Sequence, residues 1–155
     1  LNDKINLIEA KKQKEEEQAE FERQIDTLGV RDKFILISRV PAERVPEILS
    51  VCDAGFISFN KMPLWENTIP AKLQSCMACG KAIIASASGE IERVITEAGC
   101  GVCCEIGDSK ALAEGIRKMM AADSAEMGKR AREYFEEKFD KKKLMDKMDE
   151  YFKKD

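Results

Sequence analysis

The sequence predicts an α/β domain of the three-layer, doubly wound type. A mostly parallel sheet of at least four strands lies between helices, and further helices follow at the C-terminal end. Three observations carry that expectation. Short apolar runs recur between residues 34 and 106, and they are continuous rather than alternating, as strands buried on both faces require. Segments with helical apolar spacing lie between them, and parallel strands need such crossovers. Gly and Pro stand at the junctions, where helices start or stop.

The elements follow in order. Residues 1–28 form a helical lead-in, with one helix over 3–28. Ile5, Leu7, Ile8, Ala19, Phe21, Ile25 and Leu28 give it a patchy apolar stripe, and the stretch from Lys11 to Glu17 has none. Gly29 supplies its stop. An α/β core is expected over 33–106, with strands at 34–38, 54–59, 82–86 and 101–106. Helices are expected between them at 42–52, 70–79 and 90–98. Pro70 suits a first helical turn, where no amide donor is missed, and Gly80 stands where a C-terminal cap falls. Terminal helices fill 108–155. The first, 108–121, opens on Asp108-Ser-Lys-Ala and turns Leu112, Ile116, Met119 and Met120 inward; 124–138 and 141–153 follow. The whole, 1–155, reads as one domain.

Composition narrows the function. With 155 residues, 44% of them hydrophobic, the chain is long enough for a real core. A net charge of −3 and the lack of a dense basic block argue against a nucleic-acid binder held by phosphate contacts. No apolar run approaches the ~18 residues of a membrane span, and Leu1-Asn2-Asp3-Lys4 does not begin a signal peptide. Six cysteines in this context imply reduced thiols and a cytoplasmic location, with peripheral attachment to the inner membrane as an option in a full-length parent. Histidine is absent, which excludes Ser-His-Asp and Cys-His mechanisms within this chain.

The cysteines invite a zinc reading. Cys76-x2-Cys79 and Cys100-x2-Cys103 are separated by 20 residues, a spacing that zinc ribbons use. However, the segment between the pairs reads as a buried strand, a Ser/Gly turn and an amphipathic helix, and needs no metal. Cys76 and Cys79 stand three apart on a helix and share a face with Leu73. They are read as small buried apolar residues, and no metal is expected.

Ligands of open α/β sheets bind beyond the carboxyl ends of the strands, against helix N-termini whose free amides suit phosphate. The best opening is Trp65-Glu66-Asn67-Thr68-Ile69-Pro70-Ala71-Lys72. It follows the strand ending at Phe59 and starts a helix with a lysine in its first turn. Amides around Thr68–Lys72 and the Lys72 ammonium would fit a diphosphate; equally, Thr68 reads as an N-cap and Lys72 as a surface charge. Two further openings are Ser86-Ala87-Ser88-Gly89-Glu90 and Ser38-Arg39-Val40-Pro41. Ordinary turn chemistry explains each of these equally well. All three should emerge on one edge of the sheet.

These strings resemble a family. Arg39-Val-Pro, Val45-Pro-Glu-Ile-Leu, Cys52-Asp-Ala-Gly-Phe-Ile-Ser, the stretch from Asn67 through Pro70-Ala-Lys-Leu-Gln-Ser to Ala85, and Ser88-Gly-Glu are similar to the C-terminal half of retaining GT-B glycosyltransferases of family 4, bacterial polysaccharide-biosynthesis type. The resemblance runs from about residue 17 to 138. It implies a Rossmann-like domain that binds a UDP- or GDP-linked sugar, with the acceptor held by a separate N-terminal domain. It implies that Arg39 and Val40 border the base and that the helix start Thr68, Ile69, Pro70, Ala71 and Lys72, with Glu66 and Asn67 before it, holds the diphosphate and sugar. Ser75 would lie near the ribose, and Ser88 and Gly89 would complete the site. The family needs no cofactor and no bound metal. No catalytic residue is assigned.

Two departures stand out. The family's frequent Glu-x7-Glu motif would fall on Asn67 and Ser75, neither of which is acidic. The domain's usual first strand, its Gly-Arg/Lys loop and its second strand have no counterpart, since Leu7-Ile-Glu-Ala runs through charged residues into Glu17-Gln-Ala-Glu. In the family's strand order, 3-2-1-4-5-6, that loss separates 34–38 from 54–59. The two would then pair directly, or pair with a second chain as a homo-oligomer through an unpaired edge. The expectation is a donor-binding half-enzyme without its acceptor domain, inactive alone; the alternative is a non-catalytic α/β scaffold or interaction domain with no ligand.

Overall fold

The computed structural model describes residues 2–62 and 66–153, and side chains from 13 onward with the exception of 14. Trp65 lies outside the described residues. The chain divides into two compact units, Leu1–Val40 and Pro41–Asp155.

In the first unit α1 spans Asn2–Thr27. Its charged segment is helical because side chains one turn apart pair: Gln13 donates to Glu17, Gln18 to Glu22, and Arg23 and Gln24 to Glu20. Gly29, at φ 64°, closes the helix, with its amide on the Asp26 carbonyl and that of Val30 on Ile25. A single 3-10 turn, Arg31–Lys33, follows, and Phe34 meets Phe21 edge-on at 5.9 Å between ring centroids. The strand expected at 34–38 is not formed. The run has no ladder partner among the described residues, and Ile35 is 90% exposed. Apolar composition favours an extended chain, but a strand also needs a neighbour for its amides and carbonyls.

The second unit holds a parallel sheet in the order β1 (Ala54–Ser58), β2 (Ala82–Ser86), β3 (Gly101–Cys104). Among the described residues it has three strands, one fewer than expected. Register sets Gly55 beside Ile83 and Ile57 beside Ala85, and Ala85 in turn beside Cys103. These residues face α3 (Ala71–Ala78), α4 (Glu90–Ala98) and α6 (Ser124–Lys138), where Leu73, Met77, Ile91, Val94 and Ile95 complete the core. On the opposite face α5 (Ser109–Ala121) lies over Val102 and Cys104, and only a glycine at 115 admits the Cys104 sulfur. The result is the three-layer α/β/α arrangement. Before β1 the chain makes a 3-10 turn, Ala42–Arg44, and a short α2, Val45–Ser50; α7, Lys141–Phe152, ends it.

The helix stop read at Gly80 is formed, and Gly99 closes α4 in the same way. Gly80 and Gly99 both take positive φ, and the amides after them, of Lys81 and Cys100, return to Cys76 and Ile95. α6 reinforces both ends. Arg132 donates to the Ala78 carbonyl and Arg130 to that of Gly99 at 2.8 Å, so cations sit at the negative ends of α3 and α4. Among the described residues no helix is long and apolar enough to cross a membrane.

Candidate functional site

Because all three strands are parallel, they end on one edge, at Ser58, Ser86 and Cys104. The Ser86 hydroxyl, buried there, donates to the Glu105 carbonyl at 3.3 Å and ties the ends of β2 and β3 together. A cleft of about 420 Å³ opens beyond this edge, between Lys61, Glu66, Ser88, Glu92, Cys103 and Glu105. Its floor reaches the core through Ala87, and half-buried Ile106 lines it as well. Gly89 shapes one wall: it takes φ 69°, and a β-carbon on it would run into the Glu66 backbone. Only glycine meets both demands.

The helices differ in their caps. Asp108, Asp123 and Asp140 each accept amide hydrogens at the starts of α5, α6 and α7. α3 and α4 instead begin at Pro70 and Gly89, with no side-chain cap. Their first amides therefore remain open to an anion. Charge separates the two further. The first turn of α3 contains no acid and carries Lys72, while that of α4 carries Glu90 and Glu92. Glu90 is taken up by Arg93, whose hydrogen bond and charge hold its carboxyl below the usual range. An anionic group is thus better placed at α3 than at α4.

The cleft itself is acidic. Glu66, Glu92 and Glu105 face one ammonium, Lys61. Burial pushes the Cys103 thiol up to about 12, with the Glu92 carboxylate adding to the effect, so the sulfur is a neutral surface rather than a nucleophile.

Of the residues singled out by sequence, Glu66, Ser88 and Gly89 come together at the cleft. Asn67 is exposed beside Glu66; Thr68, Ile69 and Pro70 are half-buried, and Ile69 packs on the core. Ala71, Lys72 and Ser75 are exposed on α3. Arg39 and Val40 end the first unit, Arg39 exposed and Val40 half-buried. Sequence reasoning missed Lys61, Glu92, Cys103 and Glu105. The rule that used the strand ends to find 66–72 would have found three of them, since Lys61, Cys103 and Glu105 lie at or just beyond strand ends. The cysteines of the two C-x2-C pairs are free thiols, and no three His, Cys, Asp or Glu among the described residues could hold a metal ion. Cys76 is buried against Gly55, and Cys100 is buried after α4.

Residues 3–138 match the family described as Glycosyl transferases group 1. The N-acetyl-alpha-D-glucosaminyl L-malate synthase of Bacillus anthracis is 26% identical over 123 residues, which are 78% of this chain and 30% of that protein. The chain thus spans under a third of the length of this curated relative. No solved structure matches it significantly. With the family match covering most of its length, the chain belongs to the Glycosyl transferases group 1 family.

Proposed function

We propose that the chain is the nucleotide-sugar-binding half of a GT-B, family 4 retaining glycosyltransferase. The intact enzyme would move a sugar from a UDP- or GDP-linked donor to a glycan or lipid-linked acceptor held by an N-terminal domain. The observation that carries this reading is the uncapped start of α3, with Lys72 in its first turn, which the chain enters directly after Glu66 of the cleft at the carboxyl edge of the sheet. In this reading the diphosphate lies on the amides of Ala71 and Lys72, and the helix dipole and the ammonium offset its charge as the sugar–phosphate bond breaks. Asn67 and Thr68 lead the chain into that turn. Ser88 and Gly89 close the sugar side with Glu66, Ser75 stands toward the ribose, and Arg39 and Val40 toward the base. These last three assignments rest on the family resemblance.

Titration of the ¹⁵N-labelled chain with UDP, GDP, UDP-glucose, UDP-N-acetylglucosamine and GDP-mannose tests the reading. Amide shifts confined to 66–72 and 87–92 are expected for one base series, and Lys72→Ala should weaken them. If no ligand moves those amides at millimolar concentration, the chain is a scaffold without a donor site. Sugar transfer by the chain alone would overturn the half-enzyme reading.

A further inference from the structure

We infer that the chain forms a reversible homodimer by strand exchange, in which the run 34–38 of each copy adds to the free edge of β1 in the other. The inference is independent of donor binding. Two separate observations carry it: a sheet that lacks a strand and a strand that lacks a sheet. Among the described residues β1 is an edge strand, with a ladder to β2 alone and an unbroken register from Ala54 to Ser58. It carries none of the features that guard such edges, since it has no charge, no proline and no bulge. Its face toward α5 is open as well. Phe56 is exposed there, and a groove of about 450 Å³ lies between Ala54 and Ile84 of the sheet and Ile116, Met119 and Met120 of α5. β3, the other edge, differs: α4 and α5 pack on it and none of its residues is exposed.

A strand of the right kind stands unused in the same sequence. Phe34, Ile35, Leu36 and Ile37 are consecutive apolar residues that favour extension, and all are exposed. The amides of residues 35–38 make no backbone hydrogen bond among the described residues, and the run joins no ladder of its own chain. Its five residues extend over about 17 Å, which matches the five of β1. Beside β1, alternate side chains fall on opposite faces of the sheet, Phe34 and Leu36 on one and Ile35 and Ile37 on the other. In either register one apolar pair therefore meets Phe56 and the groove. Each exchange gives partners to backbone groups of both strands and covers apolar surface on both copies. Reciprocal exchange makes the contact twice and closes the assembly at two copies. The two contacts bury on the order of 1,200 Å², the lower end of specific interfaces, so the dimer forms as concentration rises and parts on dilution.

Sedimentation of the full chain over a concentration series, with hydrogen exchange at both ends of the series, tests this. A monomer–dimer equilibrium is expected, and exchange of the 35–38 amides should slow by about tenfold or more in the dimer and not in the monomer. Ile35→Lys/Ile37→Lys places charge in the donated strand, and Phe56→Lys places it on the receiving face; all three positions are exposed in the single chain. Either variant should weaken the dimer by about tenfold or more. Tyr151→Lys, at a more exposed apolar position on α7, should leave it unchanged. A chain that stays monomeric at millimolar concentration overturns the inference. So does protection of 35–38 that is independent of concentration, which would mean pairing within one chain, and so does growth past the dimer. A dimer that both variants leave intact has another interface and overturns it too. Circular dichroism checks that the variants fold; should Phe56→Lys unfold, the substitutions at 35 and 37, outside the sheet, decide.

Discussion

The two faces of the sheet are made by the same three strands and have opposite fates. Beneath α3, α4 and α6, Ile57, Ile83 and Ala85 are fully buried with Leu73, Met77 and Val94. On the other face α5 reaches β2 and β3, and Phe56, in the middle of β1, stays 52% exposed, with Ile116 and Met120 also open. A continuous apolar run reads as a strand buried on both sides. That holds for β2, at the centre, where no residue is exposed, whereas β1 alternates buried and exposed residues. Position in the sheet, rather than composition, decides how much of an apolar run is used. Stability is therefore concentrated on one face, and core packing there holds the carboxyl edge that forms the cleft.

The largest effect that could break this comparison comes from matched truncations. Ile83→Ala should cost about 3 kcal/mol, from lost transfer energy and an unfilled cavity beneath α3 and α4. Phe56→Ala removes a larger side chain yet should cost under about 1 kcal/mol, because half of it already meets water. Urea denaturation of both variants measures the contrast. Equal losses would mean that the open face of β1 is covered in solution.

A second, smaller effect sharpens the same contrast through pH. Cys100 lies wholly inside the closed core, and burial raises its thiol from 9.0 to about 11, against small opposing effects of its amide and Arg130. A raised value in the folded state means that stability is intact below pH 9, where both states hold a neutral thiol. It then falls as pH rises toward 11, because only the unfolded chain ionises. The loss over that window is on the order of 2 kcal/mol. Cys100→Ala should remove that share of the alkaline slope, whatever it does to stability at pH 7. If the slope from pH 9 to 11 persists in the variant, the thiol is more hydrated than its burial implies.

Much of the architecture was legible in the sequence because its signals are local. The helices over 90–98 and 124–138 announce themselves by apolar spacing, and the start at Asp108 by its capping residue. The Gly80 cap and the strand at 82–86 follow from the same grammar. The strand at 34–38 failed because pairing is not local: Phe34-Ile-Leu-Ile states a preference for extension, and no neighbouring residue states whether a partner exists. The site divides in the same way. The segment 66–72 was visible from its Pro-Ala-Lys helix start. The acidic lining depends on three chain segments converging, and Glu92 gives no sign in sequence that its carboxylate turns to Cys103 rather than to Arg93.

The smallest effect concerns the helix that covers the open face. α5 begins at Asp108, whose carboxylate accepts the amides of Lys110 at 2.8 Å and Ala111 at 2.9 Å. α4, on the closed face, begins at Gly89 with no such cap and relies on Ile91, Val94 and Ile95 packed into the core. α5 buries less, with Gly115 and Met119 its buried residues, so its cap carries a larger share of its stability. Asp108→Ala should therefore cost about 1 kcal/mol. Most of that cost should appear as local opening, with hydrogen exchange quickened by roughly fivefold in the first turns of α5 and little changed in α4. Glu90→Ala, which removes an acid from the start of α4 without removing a cap, is the matched control and should leave exchange in α4 nearly as it was. If Asp108→Ala instead accelerates both helices equally, α5 opens only with the whole domain, and the two faces form one cooperative unit despite their unequal burial.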